Sequence, residues 1–277
     1  MQWWCSAQTA TWTWEWQPYP GVWLFVLLLA GGYLWVRRRY EDRDRSDPTG
    51  GEDAGRGGWF ALGLVLVWLA LDWPVGPLGA GYLASVHMGQ VLVLSLLAPA
   101  FLIMGVPRAA FRPLTGDSLP ARIFERVTHP VAALIVFNGI LVATHVPVVL
   151  DGLSSTQAGM LAMDLAWILG GLTFWWPVLA PAPRRPWFNE LFEIGYVFLN
   201  TIPATVPYGF LVFAEFPLYA TYELAPPVAG IASVTDQQVA GFIMKLGGGI
   251  VLWTAMTILF FRWYVAEERE GSAAGAS

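Results

Sequence analysis

Seven side chains in this sequence of 277 residues carry most of its capacity for chemistry. His87 and His145 offer imidazole nitrogens, Met88, Met160, Met163 and Met244 offer thioether sulfurs, and Asp164 offers a carboxylate. Each stands in strongly apolar surroundings. Imidazole with thioether suits copper, and sulfur favours the cuprous ion. A carboxylate could complete such a site or hold a histidine in one tautomer. The same residues also have a packing reading. Methionine fills irregular gaps between helices, and a buried histidine can bridge two helices through hydrogen bonds. There is no His-x-x-x-His pair. A metal site at His87, His145, Met160 and Asp164 and a purely structural use of them both stand at this point.

The element that must position Asp164 is the stretch Gln157 to Val178, QAGMLAMDLAWILGGLTFWWPV. It is long enough to cross a bilayer, which takes about 20 apolar residues. Asp164 is its one ionisable residue, and an intramembrane carboxylate faces protein or water. Met160, Met163, Asp164 and Trp167 recur at helical spacing and share one face. Phe174-Trp175-Trp176-Pro177 closes the stretch with an aromatic interfacial anchor and a breaker.

Composition agrees with a membrane protein. The chain is 56% hydrophobic and only 13% charged, against about 25% charged in soluble domains. Sixteen Trp suit two bilayer interfaces. A single Cys5 excludes an intrachain disulfide and any multi-cysteine metal cluster; it reads as an exposed, unremarkable thiol. Residues 1–20 lack the basic start and unbroken apolar core of a secretory signal peptide, and Trp12, Trp14 and Trp16 alternate as in a short extended piece at the membrane surface. No nucleotide-binding loop, zinc-protease motif or serine-nucleophile elbow is present, and nothing points to nucleic acid.

The expected architecture is all-α, a polytopic bundle of seven transmembrane helices over residues 21–263. The spans are Gly21–Val36, Trp59–Trp73, Tyr82–Met104, His129–Val149, the Gln157–Val178 stretch, Phe188–Phe213 and Gln237–Trp263. Residues 37–58 form a hydrophilic linker and 264–277 a polar tail that frays. Pro203 and Pro207 kink the sixth span. Of 15 basic residues, 14 are Arg and one is Lys245. Arg37–Arg39, Arg43, Arg45 and Arg56 follow span one. Arg108, Arg112, Arg122 and Arg126 follow span three. Arg184 and Arg185 follow span five, and Arg262 and Arg269 follow span seven. The alternate loops, 74–81, 150–156 and 214–236, hold none. The positive-inside rule then puts the N-terminus outside and the C-terminus inside.

This topology gathers polar groups in the outer third of the bundle: Asp72, His87, Met88, Gln90, His145, Met160, Met163, Asp164, Asp236, Gln237 and Gln238. His129, before Pro130, starts a helix at the inner headgroups. Lys245 lies near mid-membrane, on one face with Gln238 and Gly241. It could pair with Asp164, the reading slightly favoured, or extend its stem to the inner interface. Gly247-Gly248-Gly249 permits close backbone approach or an unwound turn there.

Several stretches together resemble the CtaG family of membrane proteins, assembly factors for caa-type cytochrome c oxidases. They are Trp14-Glu-Trp-Gln-Pro18, His87-Met88-Gly-Gln90, Ala98-Pro99, Gly105-Val-Pro107, His145-Val-Pro147, Gly171 to Val178, Pro217-Leu-Tyr219 and Asp236 to Gly241 with Met244. The resemblance implies a multi-pass protein of a prokaryotic plasma membrane with no catalytic turnover. It would serve oxidase subunits as partners, with copper handling as the associated chemistry. The family pattern is similar to His-Met-x-x-His in span three and His-x-x-x-His early in span five. Here Val91, Met160 and Asp164 stand at three of those histidine positions. The site is then either rebuilt as His87, His145, Met160 and Asp164 or reduced to a scaffold. Two rival classes are a copper or proton transporter along His87, Asp164 and Lys245, and an oxidoreductase holding haem between His87 and His145.

Overall fold

The computed structural model of the protein describes residues 2–45, 56–114, 118–180 and 188–274. Among these every regular element is helical and no strand occurs. The helices are α1 (Pro20–Arg45), α2 (Arg56–Leu71), α3 (Val75–Gly81), α4 (Ala84–Leu92), α5 (Ala98–Gly105), α6 (Leu119–Val127) and α7 (Pro130–Thr144). They continue with α8 (Pro147–Ser154), α9 (Gln157–Leu179), α10 (Glu190–Leu199), α11 (Thr205–Phe213), α12 (Ala220–Glu223), α13 (Ser233–Phe242) and α14 (Gly248–Ala274). A single π-turn, Val93–Leu97, joins α4 to α5, and another, Ile243–Gly247, joins α13 to α14. Arg184 and Arg185, residues 46–55 of the linker and the end of the tail lie outside the described residues.

Among the described residues four helices are long and apolar enough to cross a membrane: Pro20–Tyr40 of α1, the α4–α5 rod, α9, and the α13–α14 rod as far as Arg269. Counting α2 with α3, bent by 51°, and α6 with α7, bent by 66°, brings the number to six. The chain is a multi-pass membrane protein with four to six such spans by length and composition. The sixth expected span, Phe188–Phe213, is instead broken into α10 and α11 by residues 200–204. Pro203 has no N–H to continue the ladder there, so the kink expected from it is a full interruption.

Three other boundaries differ from the sequence expectation. The fourth span stops at Thr144 rather than Val149, because Val146 precedes Pro147 and is extended (ψ 126°). Helix α1 runs through the Arg37–Arg39 stop to Arg45, and α14 carries the tail as helix to Ala274. The helix start at His129 is as expected: its ring accepts from the Val131 N–H at 3.3 Å.

The bundle is built around the α4–α5 rod and α9. Helix α2 packs along α5, α7 along α9, and α13 along α4. Pro99 gives a reason for the first π-turn. It cannot donate to the Ser95 carbonyl one turn back, and its ring crowds that oxygen. Gly171 of α9 accommodates the displaced group, since a Cβ there would stand 2.1 Å from the Ser95 carbonyl oxygen and 2.6 Å from Pro99 Cγ. The Trp175 indole donates to the Leu96 carbonyl at 2.7 Å, so one carbonyl of the turn is satisfied from α9.

Candidate metal centre at the covered end of the bundle

The N-terminal segment, residues 2–19, covers the end of the bundle where α4 begins, α7 ends and α9 begins. The Gln157 side-chain carbonyl accepts the Trp3 and Trp4 N–H groups at 2.8 and 3.2 Å, and the Ala7 N–H donates to the Ser154 carbonyl at 2.9 Å. Trp4 is buried in the same apolar cluster as Met88, Met160, Met163 and Trp167. Cys5 is also buried there, its thiol 3.3 Å from the Leu71 carbonyl, which corrects the expectation of an exposed thiol. Of the alternating tryptophans, Trp14 and Trp16 are exposed as expected, while Trp12 packs edge-on against Tyr82.

His145 is the residue that caps α7 at its C-terminus. Its Nδ1 lies 2.6 Å from the Leu141 carbonyl, and its Nε2 lies 3.3 Å from Met88 Sδ. A carbonyl can only accept, so a neutral ring must carry its proton on Nδ1. Nε2 then directs a lone pair at a thioether that also offers lone pairs. The Tyr219 hydroxyl donates to the His145 carbonyl at 3.0 Å and holds that turn from the 214–232 segment.

His87 is 1% exposed, and neither ring nitrogen makes a well-formed hydrogen bond among the described residues, although the Gly79 backbone lies close to the ring. Its ring lies 5.1 Å from Trp167, edge to face, and 5.8 Å from Tyr222, centroid to centroid. Buried polar groups normally find partners, and the His87 ring is poorly satisfied for its depth. Met160, Met163, Asp164 and Trp167 are all buried on one face of α9, as the spacing predicted.

Asp164 is held from the N-terminal segment, and its Oδ1 is buried with no hydrogen-bond partner among the described residues. Its Oδ2 accepts from the Trp4 indole at 2.8 Å. No three of the His, Cys, Asp and Glu side chains among the described residues stand close enough together to hold one metal ion. Lys245 is not its partner either, contrary to the pairing favoured above. The ammonium donates to Thr205 Oγ1 at 2.7 Å and lies 5.8 Å from the Tyr208 ring.

The remaining polar residues are structural. Asp236 caps α4 from a different helix, accepting from the Ala84 N–H at 2.6 Å, the Ser85 N–H at 3.3 Å and the Ser85 hydroxyl. Gln237 accepts from the Leu218 N–H at 2.7 Å and donates to the Leu211 carbonyl at 3.3 Å, tying down the covering loop. Gln90 donates to the Ala70 carbonyl at 2.7 Å. Gln238 is half-buried, and Met244 is buried beside Met88 in the central cluster. Asp72 accepts two indoles, Trp23 at 3.0 Å and Trp68 at 2.8 Å. Sequence reasoning missed the inward roles of Trp4, Tyr219 and Tyr222. The one available signal was the density of Trp near the N-terminus, which reads equally well as an interfacial belt.

The fold and this end of the bundle define a multi-pass helical membrane protein with buried imidazole and thioether groups in contact. The sequence pattern of the cytochrome c oxidase caa3 assembly factor family matches residues 31–266, and the chain belongs to that family. It is also similar to an uncharacterized protein of Mycobacterium bovis and one of Mycobacterium tuberculosis. Each is 26% identical over 220 residues, covering 70% of this chain and 32% of the relative. The chain thus spans about a third of the length of those relatives. No solved structure matches it.

Proposed function

We propose that the protein assists assembly of a caa3-type haem–copper oxidase by holding cuprous copper as cargo, without catalytic turnover. The observation that carries this reading is the contact between His145 Nε2 and Met88 Sδ, two electron-pair donors 3.3 Å apart. A soft cation is what such a pair would accommodate. The poorly satisfied nitrogens of buried His87 supply a third donor of the right chemistry on the adjacent residue of α4. Met160 and Met163 add thioethers to the same apolar cluster. Asp164 serves the reading at one remove, by fixing Trp4 over the site. The Arg distribution supports a location of this end on the outer side of a prokaryotic plasma membrane, with oxidase subunits as clients.

The test is made in a host that depends on this protein for its oxidase. His145→Ala and Met88→Leu should each lower the copper content of the purified oxidase while leaving the level of this protein in the membrane unchanged. Normal oxidase copper in both variants would refute the reading. A Soret band on the purified protein that disappears in His145→Ala would replace it with the haem-binding alternative.

A further inference from the structure

A cavity of about 560 Å³ opens in the side of the bundle, with Met88 of the covered end on its wall. It lies between the two π-turned rods and reaches the break between α10 and α11. Met88, Met244 and Asn200 lie along its wall, and Lys245 stands among its lining residues. Its volume is in the range of about 300–1,000 Å³ found for binding sites. Leu246, Ile250 and Trp253 also line it and are 62%, 69% and 60% exposed, so it opens where the protein meets lipid.

Lys245 is the telling residue. Its described contacts are the Thr205 hydroxyl and the Tyr208 ring, and they include no carboxylate. An ammonium in a membrane normally pairs with an anion. It lies 12 residues beyond Ser233, where α13 begins, a rise of about 18 Å. That is near the middle of a hydrocarbon layer of about 30 Å. Phospholipid headgroups do not sit at that depth. A side-chain carboxylate on a membrane helix can. Gly249 also lines the cavity, and a Cβ there would meet nothing within 4 Å, leaving room for a helix backbone to approach.

We propose that this cavity is a lateral docking site for a transmembrane helix carrying an acidic residue at mid-membrane, which pairs with Lys245. The proposal names a partner chemistry for the assembly role. Its test does not involve copper, so it can fail while the copper reading stands, and the reverse.

The full-length protein is reconstituted in phosphatidylcholine vesicles with a dye-labelled Leu/Ala helix of about 20 residues. One peptide carries Asp at its centre, and two controls carry Asn and Leu there. Fluorescence anisotropy at rising protein-to-lipid ratio should show the Asp peptide binding at least about tenfold more tightly than either control. The preference should persist in Lys245→Arg and vanish in Lys245→Gln. Gly249→Trp, which fills the cavity, should weaken all three peptides. Equal binding of the peptides to the wild type would overturn the proposal, as would a preference that survives Lys245→Gln. Loss of the preference when phosphatidylglycerol replaces phosphatidylcholine would also overturn it and make an anionic lipid the occupant.

Discussion

The indole N–H of Trp4 donates to Asp164 Oδ2 across 2.8 Å, joining residues 160 positions apart in the chain. Both are buried. The bond explains how α9 can keep a carboxylate in an apolar interior, and it makes the N-terminal segment part of the folded core rather than an appendage. A buried hydrogen bond contributes about 0.5–1.5 kcal/mol net. Trp4→Phe, which keeps most of the ring volume, should therefore lower the thermal unfolding midpoint of the detergent-solubilised protein. Asp164→Asn should lower it less, because an amide oxygen can still accept the indole proton.

Lys245 and Asp164 have separate partners, so their substitutions should act independently. The effects of Asp164→Asn and Lys245→Met on unfolding should add to within about 0.5 kcal/mol. A clear rescue of the first by the second would mean that the two side chains pair after all.

The thiol of Cys5 reports on the same covering segment. Burial pushes it well above its ordinary value, and the nearby carboxylates of Asp164 and Asp72 push it the same way. An exposed cysteine, titrating near pH 8.5, reacts readily with maleimide at pH 8. Cys5 should stay protonated and label slowly at that pH in the intact protein. Trp4→Ala should speed labelling at least about tenfold by loosening the segment. Fast labelling of the wild type would contradict the buried position.

The sequence showed which residues gather and on which helices, but not how they pair. Helix α9 was legible because one uninterrupted apolar stretch ends in aromatics and Pro177, and its buried face follows from spacing alone. The π-turn at Val93–Leu97 was not, although Pro99 was in view. Whether proline kinks, breaks or widens a helix depends on what the neighbouring helix can accommodate, and here that is Gly171. Asp164 was identified as requiring a partner. Charge pointed to Lys245, whereas the observed partner is an indole brought in by a non-helical segment. Asp236 and Gln237 looked like ligands by type. Their use as a cap and a tie depends on the tertiary placement of α4 and the 214–232 segment, which no local pattern encodes.

The close seat of Gly171 against the Ser95 carbonyl makes that position intolerant of any side chain. Gly171→Ala must push α9 away from the α4–α5 rod, and overpacking of this kind costs about 1–3 kcal/mol. The expected result is a lower unfolding midpoint with helical content retained. Gly139→Ala, inside α7 where a Cβ meets nothing within 4 Å, serves as the control and should raise the midpoint slightly, since Ala is the better helix former.

The contact between His145 and Met88 gives the most direct test of the metal centre. The reduced protein is titrated with cuprous ion against a chromophoric competitor, and the bound metal is examined by X-ray absorption. If copper sits between His145 Nε2 and Met88 Sδ, the wild type should show both nitrogen and sulfur neighbours. Met88→Leu keeps the side-chain volume nearly constant, so it should remove the sulfur contribution and weaken binding while nitrogen remains. His145→Ala should weaken binding further, since it also removes the ring that Leu141 orients. His87→Ala separates two geometries: a fall in the nitrogen count places His87 among the ligands, and an unchanged count leaves its ring nitrogens to another role. Asp164→Asn should alter neither count, because that carboxylate faces Trp4. A sulfur signal that survives Met88→Leu unchanged would move the site to Met160 or Met163 and refute the assignment made from the His145–Met88 contact.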